Sequence, residues 1–280
     1  MKIDVHIHLS SPELIRDRGA ALDGEPGLKV LYSDPSARLA STSEVLKAMD
    51  EGGVDKALVT GFSFQKEDNA RRYNDWLLDE CSRYPERLLP LASFDPRAPF
   101  AHDLAQGFLQ AGGFGLGELC VYDEGITPDL VERLGALADL CRDRDAPLLI
   151  HVNEPIGHQY PGKAPIEISE IYALVKRCAG AKLILAHFGG GIPFFATLKK
   201  EVRENFSHVR FDTAAMPYLF HPQALSLAAE ILGAERFLFG TDYPLLKPER
   251  YYRYFADAGL SSEDTEQILG LAAESFLGLR

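Results

Sequence analysis

The strongest constraint on this chain is a rhythm. Eight short runs of β-branched and leucine residues are each followed by a longer amphipathic stretch, at 2–9, 56–62, 88–94, 114–120, 147–153, 182–187, 209–213 and 237–242. Runs this apolar suit strands buried on both faces, as in a parallel sheet covered by helices. The intervening stretches have helical spacing. Ile168, Ile171, Leu174, Val175 and Cys178 recur at three and four and share a face. Another candidate helix runs over 129–144, with Thr127 as N-cap and Pro128 in its first turn. Eight such units in 280 residues, with no break in composition, predict an α/β fold: a (β/α)8 (TIM) barrel as a single domain over 1–280. The longest insertion, 10–41, carries Gly19, Gly24, Pro26, Gly27 and Pro35 and reads as an irregular loop. It follows the first strand, so it emerges on the catalytic face of a barrel and is expected to act as a substrate lid.

Charge and cysteine usage narrow the function. A net charge of −12 repels polyanions, so neither nucleic acid nor an anionic membrane is expected as a partner. No apolar run reaches membrane-spanning length, and strand-like sequence begins at Lys2, where a leader would stand. Cys81, Cys120, Cys141 and Cys178 are scattered and form no CxxC pair. That usage fits a reducing compartment, and a cytoplasmic location is expected.

Metal-competent residues gather at the strand ends. The first run ends Asp4-Val5-His6-Ile7-His8, where simple alternation puts Asp4, His6 and His8 on one face. Two imidazoles so spaced can bind one ion, with Asp4 as a deeper partner that orients one of them. Glu118 lies on the fourth run, His151 on the fifth, His187 on the sixth and Asp242 on the eighth. Each alone is adequately explained as a polar strand or helix cap. Together they place an acid or imidazole at five strand ends, and buried polar groups are costly unless paired or coordinated. One shared metal site at the barrel mouth accounts for all five.

This set resembles the amidohydrolase superfamily. Asp4-Val5-His6-Ile7-His8, His187-Phe188-Gly189-Gly190 and Phe239-Gly240-Thr241-Asp242-Tyr243-Pro244 look like its amidohydrolase-related branch, which includes the aminocarboxymuconate-semialdehyde decarboxylase group. The likeness runs from Ile3 to the C-terminal helix. It departs from the family in two places. Glu118 stands where many members carry a carboxylated lysine, as in TatD-like hydrolases, and Ala272-Ala273 replaces the branch's common Asn-Ala pair. The resemblance implies a metal centre built on His6, His8, His151 and Asp242, with Glu118 as a further ligand or a bridge between two ions. Such a donor set suits Zn2+ best, with Mn2+, Fe2+, Co2+ or Ni2+ also accommodated.

Asp242 and His187 are the candidate catalytic residues, as acceptor of a water proton and as general acid. The loop after the fifth strand offers Glu154, His158, Tyr160 and Lys163 as substrate contacts, Lys163 being suited to an anionic group. Tyr218, His221 and Cys120 read more simply as packing residues, and Gly189-Gly190-Gly191 as a tight turn or an anion-binding helix start. The expected partner is a small molecule, and a homo-oligomer is compatible with the sequence. The leading expectation is hydrolysis of a small ester, lactone or amide by metal-bound hydroxide. The alternative is metal-dependent, non-oxidative decarboxylation of a small unsaturated or aromatic carboxylate. TatD-like nuclease activity is disfavoured by the acidic charge. A non-catalytic metal-binding module would need the same ligands with no open coordination position.

Overall fold

Strands buried on both faces need a cover on each side, and here a lumen packing and a ring of helices provide it. The computed structural model describes residues 1–279. The strands are β1 (Ile3–His8), β2 (Lys56–Thr60), β3 (Leu88–Ala92), β4 (Gly115–Leu119), β5 (Pro147–Ile150), β6 (Lys182–Leu185), β7 (Val209–Asp212) and β8 (Phe237–Leu238). They pair in parallel in sequence order. The barrel closes between its first and last strands: Val5 N–H donates to Phe239 O, Asp242 N–H to His6 O and His8 N–H to Tyr243 O.

All eight strands are found where expected, but each ends earlier than the sequence pattern implies. The chain leaves the ladder where polar side chains must converge. His187 and Asp242 there adopt left-handed backbone, with φ of 52° and 56°. The Gly189-Gly190-Gly191 segment is a tight turn, with φ positive at all three positions.

Inside the barrel, Ile3, Val5, Leu58, Leu91, Leu149, Ile184 and Leu238 form one apolar cluster, joined at its base by Ala272, Ala273 and Leu277. Ile7, Leu9, Leu148, Ile150, Leu183, Leu185 and Phe211 belong instead to the shell beneath the helices. Simple alternation along β1 is therefore broken. Ile3 and Val5 face the lumen while Ile7 and Leu9 face outward, and the parity changes at a register shift between Asp4 and Ile7. A second shift, between Leu116 and Leu119, lies beside Glu118.

At least one helix follows each strand. The insertion at 10–41 first forms three short helices, α1 (Pro12–Arg16), α2 (Arg18–Leu22) and α3 (Pro26–Tyr32), so the expected irregular loop is corrected. Ser11 and Asp17 cap the first two, and Pro12 and Pro26 occupy first turns, where a missing N–H costs nothing. The covering helices are α4 (Thr42–Gly52), α5 (Glu67–Ser82), α6 (Ala101–Gln110), α7 (Pro128–Arg142), α8 (Ile168–Arg177), α9 (Lys200–Asn205), α10 (Gln223–Leu232) and α11 (Pro248–Ala258), with α12 (Ala272–Leu277) at the barrel base. Thr127 caps α7 by accepting Leu130 N–H, and α8 buries Ile171, Leu174 and Val175 as its spacing predicts. Among the described residues no helix is long and apolar enough to cross a membrane, and all four cysteines are free and buried.

Leu149 has no exposed surface and sits in the lumen layer beneath the mouth. Leu149→Ala should cost about 2–5 kcal/mol of stability, read from the urea midpoint at unchanged slope. A loss below about 1 kcal/mol would show that the lumen collapses around the gap.

Candidate metal centre

The residues singled out at the strand ends do meet. His6, His8, Glu118, His151 and His187 are all buried at the C-terminal mouth, and Asp242 opens partly to the cavity above. Glu118 lies at the centre. Its Oε2 is 3.6 Å from His6 Nε2 and 3.5 Å from His8 Nε2; its Oε1 is 2.9 Å from His151 Nδ1 and 3.3 Å from His187 Nε2. Asp242 Oδ1 is 3.2 Å from His8 Nε2 and 3.8 Å from His6 Nε2.

The outer nitrogen of each ring fixes its tautomer. His8 Nδ1 faces Gly61 O at 2.9 Å, His151 Nε2 faces Gly162 O at 3.0 Å and His187 Nδ1 faces Ala214 O at 3.2 Å. A carbonyl only accepts, so each of these nitrogens carries the hydrogen. His6 Nδ1 likewise donates to Asp212 Oδ2 at 2.8 Å. Four imidazoles thus turn lone pairs inward onto a carboxylate, and His6 Nε2 and His8 Nε2 face one another at 3.3 Å. Lone pairs at such range repel unless a positive charge lies between them. Two triads, His6–His8–Glu118 and Glu118–His151–His187, have donor atoms close enough to share an ion. The donor set fits a divalent cation.

Without metal, protons take that place. Burial, the largest influence, disfavours charge on His6, but Glu118 and Asp212 outweigh it and hold the imidazole well above its usual pKa. For His187 burial again opposes charge, and Glu118 overcomes it to bring the pKa to about 9. Glu118 itself stays ionised: burial would raise its pKa, but His6 and His151 drive it well below the carboxylate range.

Asp212 was not foreseen. Besides orienting His6, it accepts the backbone N–H of His187 at 2.8 Å and of Ala214 at 2.9 Å. It is a lone acid at the end of a buried strand, the criterion that picked out the others, and that signal would have found it. Asp4 does not orient an imidazole as expected. It binds Thr241 Oγ1 at 2.6 Å and the N–H groups of Thr241 and His6, because the shift in β1 turns it away from the two histidines.

Above the cluster lies a cavity of about 590 Å³. His8, Glu118, His151, His187 and Asp242 lie on its lining, together with Tyr32, Tyr122 and Leu219. Of the four contacts expected from the loop after β5, His158 and Tyr160 line it. Glu154 and Lys163 do not: they pair at 2.9 Å, and Tyr160 Oη donates to the same Glu154 carboxylate at 2.9 Å. Lys163 is thereby neutralised within its own loop. Tyr218, expected to be a packing residue, lines the cavity, as does Arg38 from the insertion. Neither has a local sequence signature.

Barrel and cluster together define an enzyme of the amidohydrolase superfamily. Residues 3–279 match the Amidohydrolase family, and the chain belongs to that family. It is 26% identical to a gamma-resorcylate decarboxylase from Rhodococcus jostii, over 95% of both chains. A dihydroxybenzoic acid decarboxylase from Polaromonas, with bound manganese and the inhibitor 2-nitroresorcinol, superposes with a TM-score of 0.68 at 18% identity, covering 99% of this chain and 97% of that one. A 5-carboxyvanillate decarboxylase from Novosphingobium aromaticivorans, also with manganese, gives 0.72 at 16% identity over 100% and 97%. These names overturn the expectation of ester, lactone or amide hydrolysis. The presence of Glu118 favoured that chemistry, but a donor set that binds a cation does not by itself choose between two reactions on one scaffold.

An ion at His6, His8 and Glu118 must displace the proton held by His6, and a second ion beside His151 the proton held by His187. Metal affinity should therefore rise with pH, that of the second position towards about 9. The sign for stability follows. A raised histidine pKa stabilises the metal-free fold fully below the unfolded value of about 6.5. That contribution is lost as pH rises through about 9. The Tm difference between metal-loaded and metal-free protein should therefore widen from pH 6.5 to 9. Calorimetry in buffers of differing ionisation enthalpy should record proton release on metal binding; no release would contradict the protonated cluster.

Proposed function

We propose that this chain is a metal-dependent, non-oxidative decarboxylase of a small hydroxylated aromatic carboxylate. The observation that carries the reading is the alignment with four curated relatives over 95% of both chains, each named gamma-resorcylate decarboxylase. The cavity is consistent with it: Tyr32, Tyr122 and Leu219 provide aromatic and apolar walls around a volume suited to one substituted ring, above a floor that attracts a cation.

His6, His8 and Glu118, with Asp242 beside them, would hold the ion. When bound, a divalent cation supplies a Lewis-acidic anchor for oxygens of the substrate. Manganese in the two related structures and the mixed nitrogen–oxygen donors here make Mn2+ as suitable as Zn2+. His151 and His187 lie across Glu118, where a second ion fits only once His187 has lost its proton. In the one-ion state His187 keeps it and acts as the general acid. The proton adds to the ring carbon bearing the carboxylate. The carbon–carbon bond then breaks, its electron pair returns to the ring, and CO2 departs. Asp212 holds the His187 backbone and orients His6, so one carboxylate keeps acid and ligand in register. The walls exclude water from the ring while it carries the added proton. Leu31, Tyr32 and Arg38 from the 10–41 insertion line this space, which supports a lid role for that segment.

Protein loaded with Mn2+ or Zn2+ should release CO2 from 2,6-dihydroxybenzoate or a related hydroxybenzoate, with the matching phenol as product. No CO2 from any hydroxybenzoate with either metal would sink the reading. His187→Gln should lower kcat by about 10²-fold or more while retaining one equivalent of metal. Loss of that metal would instead make His187 a ligand.

A further inference from the structure

One tyrosine of the insertion enters the site without any hydrogen-bond partner in the protein. Tyr32 ends α3 and is only 8% exposed, yet among the described residues no hydrogen bond involves its hydroxyl. It lines the same cavity as Glu118, His187 and Asp242. Burial, then the charges of Asp242 and Glu118, raise the pKa of the phenol, so it remains a donor throughout the working range. A buried hydroxyl left unpaired is costly, and one that opens to a cavity beside a reactive centre is free to bind what enters.

The insertion holds this side chain firmly. Glu25, the residue before α3, is completely buried, and no cation pairs with it among the described residues. Its carboxylate accepts Gln65 N–H at 2.6 Å, Lys66 N–H at 3.2 Å and Asn69 Nδ2–H at 2.8 Å. These donors surround the start of α5, which has no capping side chain of its own. The insertion therefore supplies the missing N-terminal cap, and the helix dipole favours that negative charge. Two residues on, Gly27 lies so close to the β2–α5 loop that a Cβ would come 3.2 Å from Ser63 O. At the other end of α3 the Tyr32 ring packs edge-on against Phe62 at 4.9 Å, and Phe62 stacks on His8 at 5.4 Å. From Glu25 to Tyr32 the segment is latched at one end and braced against the centre at the other.

We propose that Tyr32 is a further substrate-contacting residue, whose phenol O–H donates a hydrogen bond to an oxyanion of the bound aromatic acid. The proposal rests on the decarboxylase reading for the identity of that acid. The aromatic acid enters as an anion, and its negatively charged oxygens need a hydrogen-bond donor in a site dominated by the carboxylates of Glu118, Asp212 and Asp242. Tyr32 is such a donor, and Glu25 is the residue that positions it.

Tyr32→Phe removes the hydroxyl and keeps the ring against Phe62. With metal-loaded protein, the visible absorbance of 2-nitroresorcinol reports binding independently of turnover. We expect the variant to bind it about 10- to 100-fold more weakly than wild type, the effect of one hydrogen bond to a charged oxygen. Metal content and Tm should be unchanged. Activity towards a hydroxybenzoate should fall in kcat/KM by a similar factor. Glu25→Gln, which keeps the shape and loses the charge, should shift binding in the same direction by less. Equal binding by wild type and Tyr32→Phe overturns the proposal, as does failure of metal-loaded wild type to bind the compound. Tyr32-dependent binding without CO2 release from any hydroxybenzoate supports the contact and removes the decarboxylase reading alone.

Discussion

The rest of the mouth depends on one buried carboxylate. Glu118 is 3% exposed and ionised, and a charge so placed is tolerated only if positive charge surrounds it. The protons on His6 and His187, or a cation in their place, meet that demand, and all four imidazoles around Glu118 are held by an acceptor behind them: Asp212, Gly61 O, Gly162 O and Ala214 O. Those acceptors come from the segments after β2 and β5 and from the end of β7 and the turn beyond it. Holding one carboxylate therefore positions three parts of the barrel rim. The lumen below contributes the rigid floor, because its leucines and isoleucines leave the strand ends little freedom to shift.

The barrel also closes through this centre. The backbone bonds joining the last strand to the first involve His6, His8 and Asp242, so three of the donors lie on the seam. Any strain that opened the barrel would separate them. The left-handed backbone of Asp242 and His187 is upheld by the same network, since Asp242 N–H donates to His6 O and His187 N–H to Asp212.

Charge is divided between floor and walls. The floor attracts cations, whereas the loop after β5 spends its lysine on Glu154 and presents His158 and Tyr160 to the cavity. Lys163 reads from sequence as an anion receptor only because a neighbour nine residues earlier in the chain cannot be paired with it by inspection. Arg38, in a segment singled out only for its turn residues, is the arginine that reaches the lining. The relatives' names supply what the donors lacked: the same histidines and acids can serve attack by hydroxide or protonation of a ring carbon, and only the match to decarboxylases separates the two.

The sequence by itself determined the eight βα units, their order and the identities of the donors at the strand ends. Those depend on local alternation, helical spacing and the expense of burying polar groups, all carried by neighbouring residues. Tertiary structure decided which of those groups face one another. The register shifts beside His6 and Glu118 change the parity of β1 and β4, and so Asp4 serves Thr241 while Asp212, 206 residues from His6, orients its ring. The prolines of the insertion looked like breakers yet begin helices, because a first turn has no use for their missing N–H. Tyr32 owes its place over the centre to Glu25 capping a helix more than forty residues further along the chain, a long-range contact that no local pattern encodes.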